Sequence, residues 1–256
     1  MKGLIYREFY LSRKAVAFML LAYVIFVAMI TMVIISTYTG NLAKDSESAE
    51  MRSYLLSQMY LYAALIGIGG CTYGHNDLIE KDYKSKWQLY SYTLPVSEKK
   101  VMLSKLIVRV SLLLAGFVLA VLADVIFSAA GKVPVSPGHL KTMLVIFFLY
   151  GVLCIIDIPY LLVMKTQYKA VAFGMIGGAP LIAGIMYGVY KFTNFCTSEA
   201  KRLYPDMEGD AAIMKVAAPY INKCRDIALW AAPFLFAAAI IITYLWGIKE
   251  LKRRRY

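Results

Sequence analysis

The chain has 256 residues, 60% of them hydrophobic and 17% charged, and its formal net charge is +12. A soluble domain would be about 45–50% apolar with about a quarter of its residues charged, so the composition excludes an ordinary soluble protein and indicates an integral membrane protein. The positive charge requires no nucleic-acid partner, because an anionic inner leaflet attracts cationic residues beside the membrane.

Six stretches are long and apolar enough to cross a bilayer, which takes about 20 residues of helix. They occupy most of the chain and leave no room for a separate soluble catalytic domain of usual size. We therefore predict an all-α integral membrane protein with a single transmembrane domain, 1–256. The basic residues collect mainly in segments that are cytoplasmic if both termini are cytoplasmic, which predicts that orientation. The predicted spans are 15–38, 54–74, 101–130, 142–164, 168–190 and 226–247.

The segment 1–14 precedes the first span and combines apolar residues at helical spacing with basic residues on its other faces. This pattern predicts a short helix lying in the membrane interface, the alternative being a frayed basic tail.

Arg109 and Asp157 are charged residues inside predicted spans, where charge is costly and often functional. Each lies about 12 Å along its helix from the inner end of its span at 1.5 Å per residue. We therefore predict an intramembrane ion pair, either structural or in contact with substrate. A catalytic pair of Asp124 and Asp157 is disfavoured, because the two carboxylates would lie at different depths.

The fifth span carries two pairs of glycines at four-residue spacing around Pro180. Small residues at this spacing allow close helix contact, either within the chain or at a dimer seam. The segment 191–225 follows, is predicted to lie outside, and suits short helices. Cys196 and Cys224 bracket it, and they form either a disulfide or two free thiols.

The segment 76–100 is a charged island between the second and third spans. Its apolar and aromatic residues recur at spacings of three and four, which predicts a helix. This helix either rests in the interface through its Tyr and Trp rings or docks into a cytoplasmic protein. The stripe consists of Ile79, Tyr83, Trp87, Tyr90 and Leu94.

Catalytic motifs are missing from the sequence. The only Gly-Lys pair, Gly131 and Lys132, is followed by Val133 and not by the Ser or Thr of a phosphate-binding loop. Two histidines, His75 and His139, cannot form a His-Glu-x-x-His zinc helix. We predict no catalysis by this chain alone and no cofactor or metal bound to it.

These features together resemble the permease subunits of type-2 ABC exporters. The resemblance rests on the basic start MKGLIYREFYLSRK, six spans, a cytoplasmic helix followed by TLPVSEKKVMLSKL, and an outer segment between spans five and six. In its small size the chain is most similar to Gram-positive permeases that export phenol-soluble modulins and other amphipathic or antimicrobial peptides. The residues that match the family pattern are Leu94, Pro95, Val96, Ser97 and Lys105.

The resemblance implies that residues 80–92 are a coupling helix seated in a separate ABC ATPase subunit, which would bind the ATP and Mg. It further implies a second permease, identical or paralogous, in a bacterial plasma membrane, and export of an amphipathic, hydrophobic or lipid-like substrate. The coupling contacts would be Glu80, Tyr83, Lys84, Trp87, Gln88 and Leu89. The candidate pathway or seam residues are Met19, Phe26, Met29, Gly174, Met175, Gly178, Gly184, Met186, Tyr187 and Gly188.

Two other functions remain open from the sequence. An ion-coupled secondary transporter would need ion ligands at the middle of the membrane, usually in repeated halves, and the chain has no internal repeat. A membrane-embedded enzyme is the less favoured alternative.

Overall fold

The computed structural model describes residues 2–38, 58–73, 75, 82, 96–164, 167–205 and 209–253. Throughout these ranges the regular secondary structure is helical, which confirms the predicted all-α class. In chain order the helices are α1 (Lys2–Tyr38), α2 (58–73), α3 (Glu98–Ala130), α4 (Pro137–Met164), α5 (Gln167–Leu203) and α6 (Gly209–Arg253).

Four helices of the described ranges are long and apolar enough to cross a membrane. They are α1, α3, α4 and α6, over Lys2–Thr37, Glu98–Ala130, Pro137–Met164 and Ala212–Arg253. The predicted spans 54–74 and 168–190 fall on α2 and α5, and their crossing stays a prediction.

Helices α1 and α3 run parallel. Glu8 near the start of α1 pairs with Lys105 near the start of α3. Fifteen residues later in α1, the Tyr23 hydroxyl donates a hydrogen bond to the carbonyl of Leu119, 3.1 Å away, fourteen residues after Lys105. Because the two contacts are separated by nearly the same number of residues in the same direction on both helices, the chain must turn back between α1 and α3.

The returning helix is α2, which crosses α3 at glycine. A Cβ added to Gly116 would lie 2.7 Å from the Cα of Ile68 and 2.5 Å from the carbonyl oxygen of Gly67. Both neighbours are backbone atoms, so the crossing has no room for a side chain. A Cβ added to Gly67 would likewise lie only 3.1 Å from the carbonyl oxygen of Gly116.

Helix α4 runs antiparallel to α3, and α6 runs parallel to α4. His139 at the start of α4 contacts Asp124 near the end of α3, whereas Gly247 near the end of α6 packs on Met102 near the start of α3. The first residues of α1 and the last of α6 therefore lie at the same end of the bundle. We call this end the termini face and the opposite end the far face.

The core lies mainly between α3, α4 and α6. Its buried side chains include Leu113, Phe147, Ile155 and Leu162. Phe236 of α6 packs directly against Gly151 of α4. Helices α1 and α6 leave most of their apolar surface exposed, which suits contact with lipid or with another protein.

Helix α1 differs from the prediction at its beginning. A separate interfacial helix over 1–14 was expected, but one unbroken helix of 37 residues runs from Lys2 to Tyr38. The physical reason is that no glycine or proline occurs between residues 4 and 38 to end it. Its length of about 55 Å exceeds a hydrocarbon core of about 30 Å, so part of α1 extends beyond the core or the helix is strongly tilted.

The described part of the segment 191–225 is mainly helical, but it belongs to two long helices and not to separate short ones. Helix α5 continues to Leu203 and α6 already begins at Gly209. Cys196 is buried and Cys224 is exposed, and both are free thiols. In the structure the two cysteines do not form the disulfide considered from the sequence.

Candidate functional site: a buried charge cluster

Five polar residues meet at the termini face and form what we call the charge cluster: Arg7, Glu8, His75, Asp82 and Lys105. They come from α1, from position 75, from the segment 76–100 and from α3. Four of them are at most 4% exposed, and the side chain of Arg7 is 21% exposed. The cluster therefore joins four parts of the chain inside the protein.

Lys105 occupies the centre of this arrangement. Its Nζ donates hydrogen bonds to Glu8 Oε1 at 3.0 Å and to Asp82 Oδ2 at 3.2 Å. A buried ammonium group is tolerated only when it is paired and hydrogen-bonded. The two carboxylates from different chain segments satisfy that requirement, so Lys105 links α1 to the segment 76–100.

Arg7 makes a second link between the same two parts. Its guanidinium contacts both carboxylate oxygens of Asp82, one of them from Nη1 at 3.2 Å. Nη1 also lies 3.3 Å from Glu8 Oε1. Bidentate arginine–carboxylate pairs are among the strongest hydrogen-bonded contacts in proteins. Asp82 is thus held by one cation on α1 and another on α3.

His75 closes the cluster beside Glu8. Its Nε2 lies 3.3 Å from Glu8 Oε2 and interacts with this carboxylate, whereas Nδ1 is buried without a hydrogen-bond partner among the described residues. Burial lowers the pKa of His75, which follows the predicted span 54–74, to about 4. The imidazole is therefore neutral near pH 7, and two cations balance two anions.

Arg109 lies one helical turn beyond Lys105 on the same side of α3. It is fully buried, and its Nη1 donates to the carbonyl of Thr72 at 3.3 Å. Asp157 of α4 is among the groups that act on Arg109 electrostatically. The predicted ion pair of Arg109 and Asp157 stays a prediction.

A smaller polar contact lies near the far face. Asp124 Oδ1 and His139 Nδ1 are 3.0 Å apart, and the ring of Tyr60 stacks on the imidazole at 3.9 Å with an angle of 11°. Asp124 is buried. The contact joins α2, α3 and α4, and it explains an aspartate that the sequence alone left without a partner.

An apolar groove lies between α1 and α3 and has a volume of about 540 Å³. Its two hydroxyl groups are already bonded, since Tyr23 donates to Leu119 at 3.1 Å and Thr31 donates to the carbonyl of Val27 at 2.7 Å. The groove therefore presents an apolar wall. Its described lining is Tyr23, Val24, Val27, Ala28, Thr31, Met32, Ile35, Leu119, Leu122, Ala123 and Ile126.

The residues predicted from the sequence are only partly described. Glu80, Tyr83, Lys84, Trp87, Gln88 and Leu89 lie outside the described residues, and the surroundings of Gly174, Met175 and Gly178 are not described either. Met29, Met186 and Tyr187 are exposed, and Met19 and Phe26 are partly buried. A Cβ at Gly184 or Gly188 would meet nothing within 4 Å, so no described helix of this chain packs against them.

The charge cluster was not predicted, although the sequence contained two indications of it. Glu8 is the only acidic residue among the first 44. Lys105 and Arg109 stand four residues apart within an apolar run, so both face the same side of a helix. Neither indication identifies Asp82 or His75 as a partner, because those contacts depend on how α2 and the segment 76–100 fold back.

The fold and the cluster define a helical membrane protein with ionic contacts at one end of the bundle. Comparison with known families identifies the kind of membrane protein, since residues 3–249 match the ABC-2 family transporter proteins. The chain belongs to this family and is an ABC-2 type permease, the membrane component of a transporter. No curated protein and no solved structure matches it.

Proposed function

We propose that this chain is the permease of an ABC exporter for amphipathic or hydrophobic substrates, peptide or lipid-like, driven by a separate ATPase subunit. The observation that carries the proposal is the family match over nearly the whole chain. The match favours an ATP-driven permease over an ion-coupled transporter and over a membrane enzyme. ATP and Mg belong to the partner subunit in this proposal.

The contact with the ATPase is assigned to residues 80–92, with both termini cytoplasmic and all six helices crossing the membrane. Support comes from the directions of α1, α2, α3, α4 and α6, which put both ends of the described chain on the termini face. Asp82, two residues into the proposed coupling helix, is buried on that face. ATP-driven closure of two ATPase subunits would displace this helix and shift the packed spans between two arrangements.

The substrate class rests on the apolar groove and on exposed apolar faces. The groove offers aliphatic surface without unbonded hydroxyl groups, which suits acyl chains or the apolar side of an amphipathic peptide. Exposed Gly184 and Gly188 leave a face on α5 where a second permease could approach closely. The Gram-positive peptide exporters noted above remain the proposed functional relatives.

The decisive experiment is reconstitution with candidate ABC ATPase subunits from the same organism. Tyr83→Ala combined with Trp87→Ala should weaken co-purification of the ATPase and reduce substrate-stimulated ATP hydrolysis. A matched control is Tyr62→Ala combined with Trp230→Ala, since both residues are exposed on other helices. Wild-type assembly and stimulation in the first variant would refute the coupling assignment, and failure of the wild-type chain to bind any ABC ATPase would refute the function.

The groove can be tested separately with Ala28→Trp, which fills it, against Ala22→Trp on an exposed part of α1 outside its lining. We expect only Ala28→Trp to reduce export of a fluorescent amphipathic helical peptide from vesicles. Equal export by the two variants would remove the groove from the pathway.

A further inference from the structure

We infer that the charge cluster is the joint through which movement of the segment 76–100 reaches α1 and α3. This inference rests on the proposed function, because the ATPase subunit supplies the movement. It assigns Arg7, Glu8, Asp82 and Lys105 as positioning residues that neither bind ATP nor touch substrate.

The cluster connects the segment 76–100 to two helices. Asp82 belongs to the segment 76–100, and its carboxylate is held by Arg7 of α1 and by Lys105 of α3. Lys105 in turn holds Glu8 of α1 at 3.0 Å. A displacement of Asp82 therefore pulls on both helices directly.

The links between Asp82 and the two helices are ionic and not apolar. Apolar side chains attract one another only weakly within a membrane, because lipid is as apolar as they are. Buried ion pairs resist separation, since separation leaves unpaired charge away from water. A carboxylate paired with two cations can therefore transmit a displacement to both helices, whereas apolar side chains would slide past one another.

One ring nitrogen in the cluster remains available. His75 Nδ1 is buried without a hydrogen-bond partner among the described residues. A neutral imidazole offers an acceptor nitrogen, so His75 can receive a hydrogen bond from Lys105 or Arg7 when Asp82 moves away. The cluster thus contains the groups for a second arrangement of its bonds.

The test replaces the joint without leaving an unbalanced charge. Asp82→Leu with Lys105→Met removes one anion and one cation, and Arg7 and Glu8 remain as a pair whose atoms lie 3.3 Å apart. A matched control removes the exposed pair of Glu199 and Arg202, which lies on α5 at 2.8 Å. Both residues become leucine in that control.

Movement is read as the distance between spin labels at two exposed positions near the termini face, Tyr6→Cys and Lys249→Cys, with the four native cysteines replaced by alanine. The complex with its ATPase is held in phosphatidylglycerol nanodiscs, without nucleotide or trapped with Mg-ATP and vanadate. We expect trapping to shift the distance by a few ångström in the otherwise unmodified chain, in the control and in a Lys105→Arg variant.

In the variant without the joint, we expect the ATPase to stay bound and to trap nucleotide while the distance no longer shifts. A full shift in that variant would overturn the inference, because the segment would then move α1 without ionic attachment. Loss of ATPase binding by the folded variant would also overturn it, because the cluster would then only shape the docking surface. If the unmodified chain binds no ATPase at all, the proposed function itself fails.

Discussion

Removing Lys105 alone should destabilise the protein far more than removing it together with Asp82. In Lys105→Met, the carboxylates of Glu8 and Asp82 share only Arg7, and one anion stays buried in excess. Breaking a buried pair in this way costs about 3–5 kcal/mol. We expect the low end, about 3 kcal/mol, because Arg7 already lies within 3.3 Å of both carboxylates.

Asp82→Leu should cost a similar amount, since it leaves one cation in excess. The double variant restores the balance of charge and should lose only about 1 kcal/mol relative to the unmodified chain. The coupling energy between the two positions is then well above 2 kcal/mol, which is large for a pairwise contact.

The measurement is reversible unfolding in mixed micelles, followed by tryptophan fluorescence, for all four members of the double-mutant cycle. Glu199→Leu and Arg202→Leu form the comparison cycle, because that pair is more exposed and should give about 0.2–1 kcal/mol. Additive losses at Lys105 and Asp82, within about 0.5 kcal/mol, would refute the reasoning that the two charges depend on each other.

Three further predictions test other parts of the structure. Gly116→Ala should destabilise the protein by about 1–3 kcal/mol in the same unfolding assay, because its Cβ would overlap backbone atoms of α2, whereas Gly184→Ala should not, and equal effects would contradict the crossing. Asp157→Ala should reduce the yield of folded protein and Arg109→Ala should partly restore it, whereas additive losses would argue against their pairing. Acidification from about pH 6.5 towards pH 4 should lower the melting temperature, since the unfolded chain protonates His75 in that range and the folded state keeps it neutral; in His75→Gln this part of the acid sensitivity should vanish, and an unchanged pH profile would contradict it.

The sequence predicted the helical class and most helix positions because apolar runs of bilayer length have few alternative structures. It did not predict that α1 is continuous through residues 1–14, because basic and apolar residues there are compatible with either arrangement. Only the absence of glycine and proline between residues 4 and 38 indicated one helix.

The charge cluster was harder to predict from the sequence, because its directly bonded members are up to 97 residues apart along the chain. Periodicity identifies which residues share one helix face, as it does for Lys105 and Arg109. It does not identify which carboxylate on another segment will meet them. The direct hydrogen bond of Arg109 to a backbone carbonyl of α2 was equally beyond such reasoning, since a carbonyl has no signature in the sequence.

The positions of the polar contacts along α3 relate the charge cluster to the membrane. Asp124, with His139, follows Lys105 by 19 residues, a distance of about 28 Å at 1.5 Å per residue. This nearly equals a hydrocarbon core of about 30 Å, so we expect the two polar contacts to lie near its two boundaries, with Arg109 about 6 Å further along α3 than Lys105. Buried charge at the boundary costs less than buried charge at the centre. A joint at this depth can rearrange its ion pairs while the apolar packing of α3 below it stays intact, so the helix can move as one body.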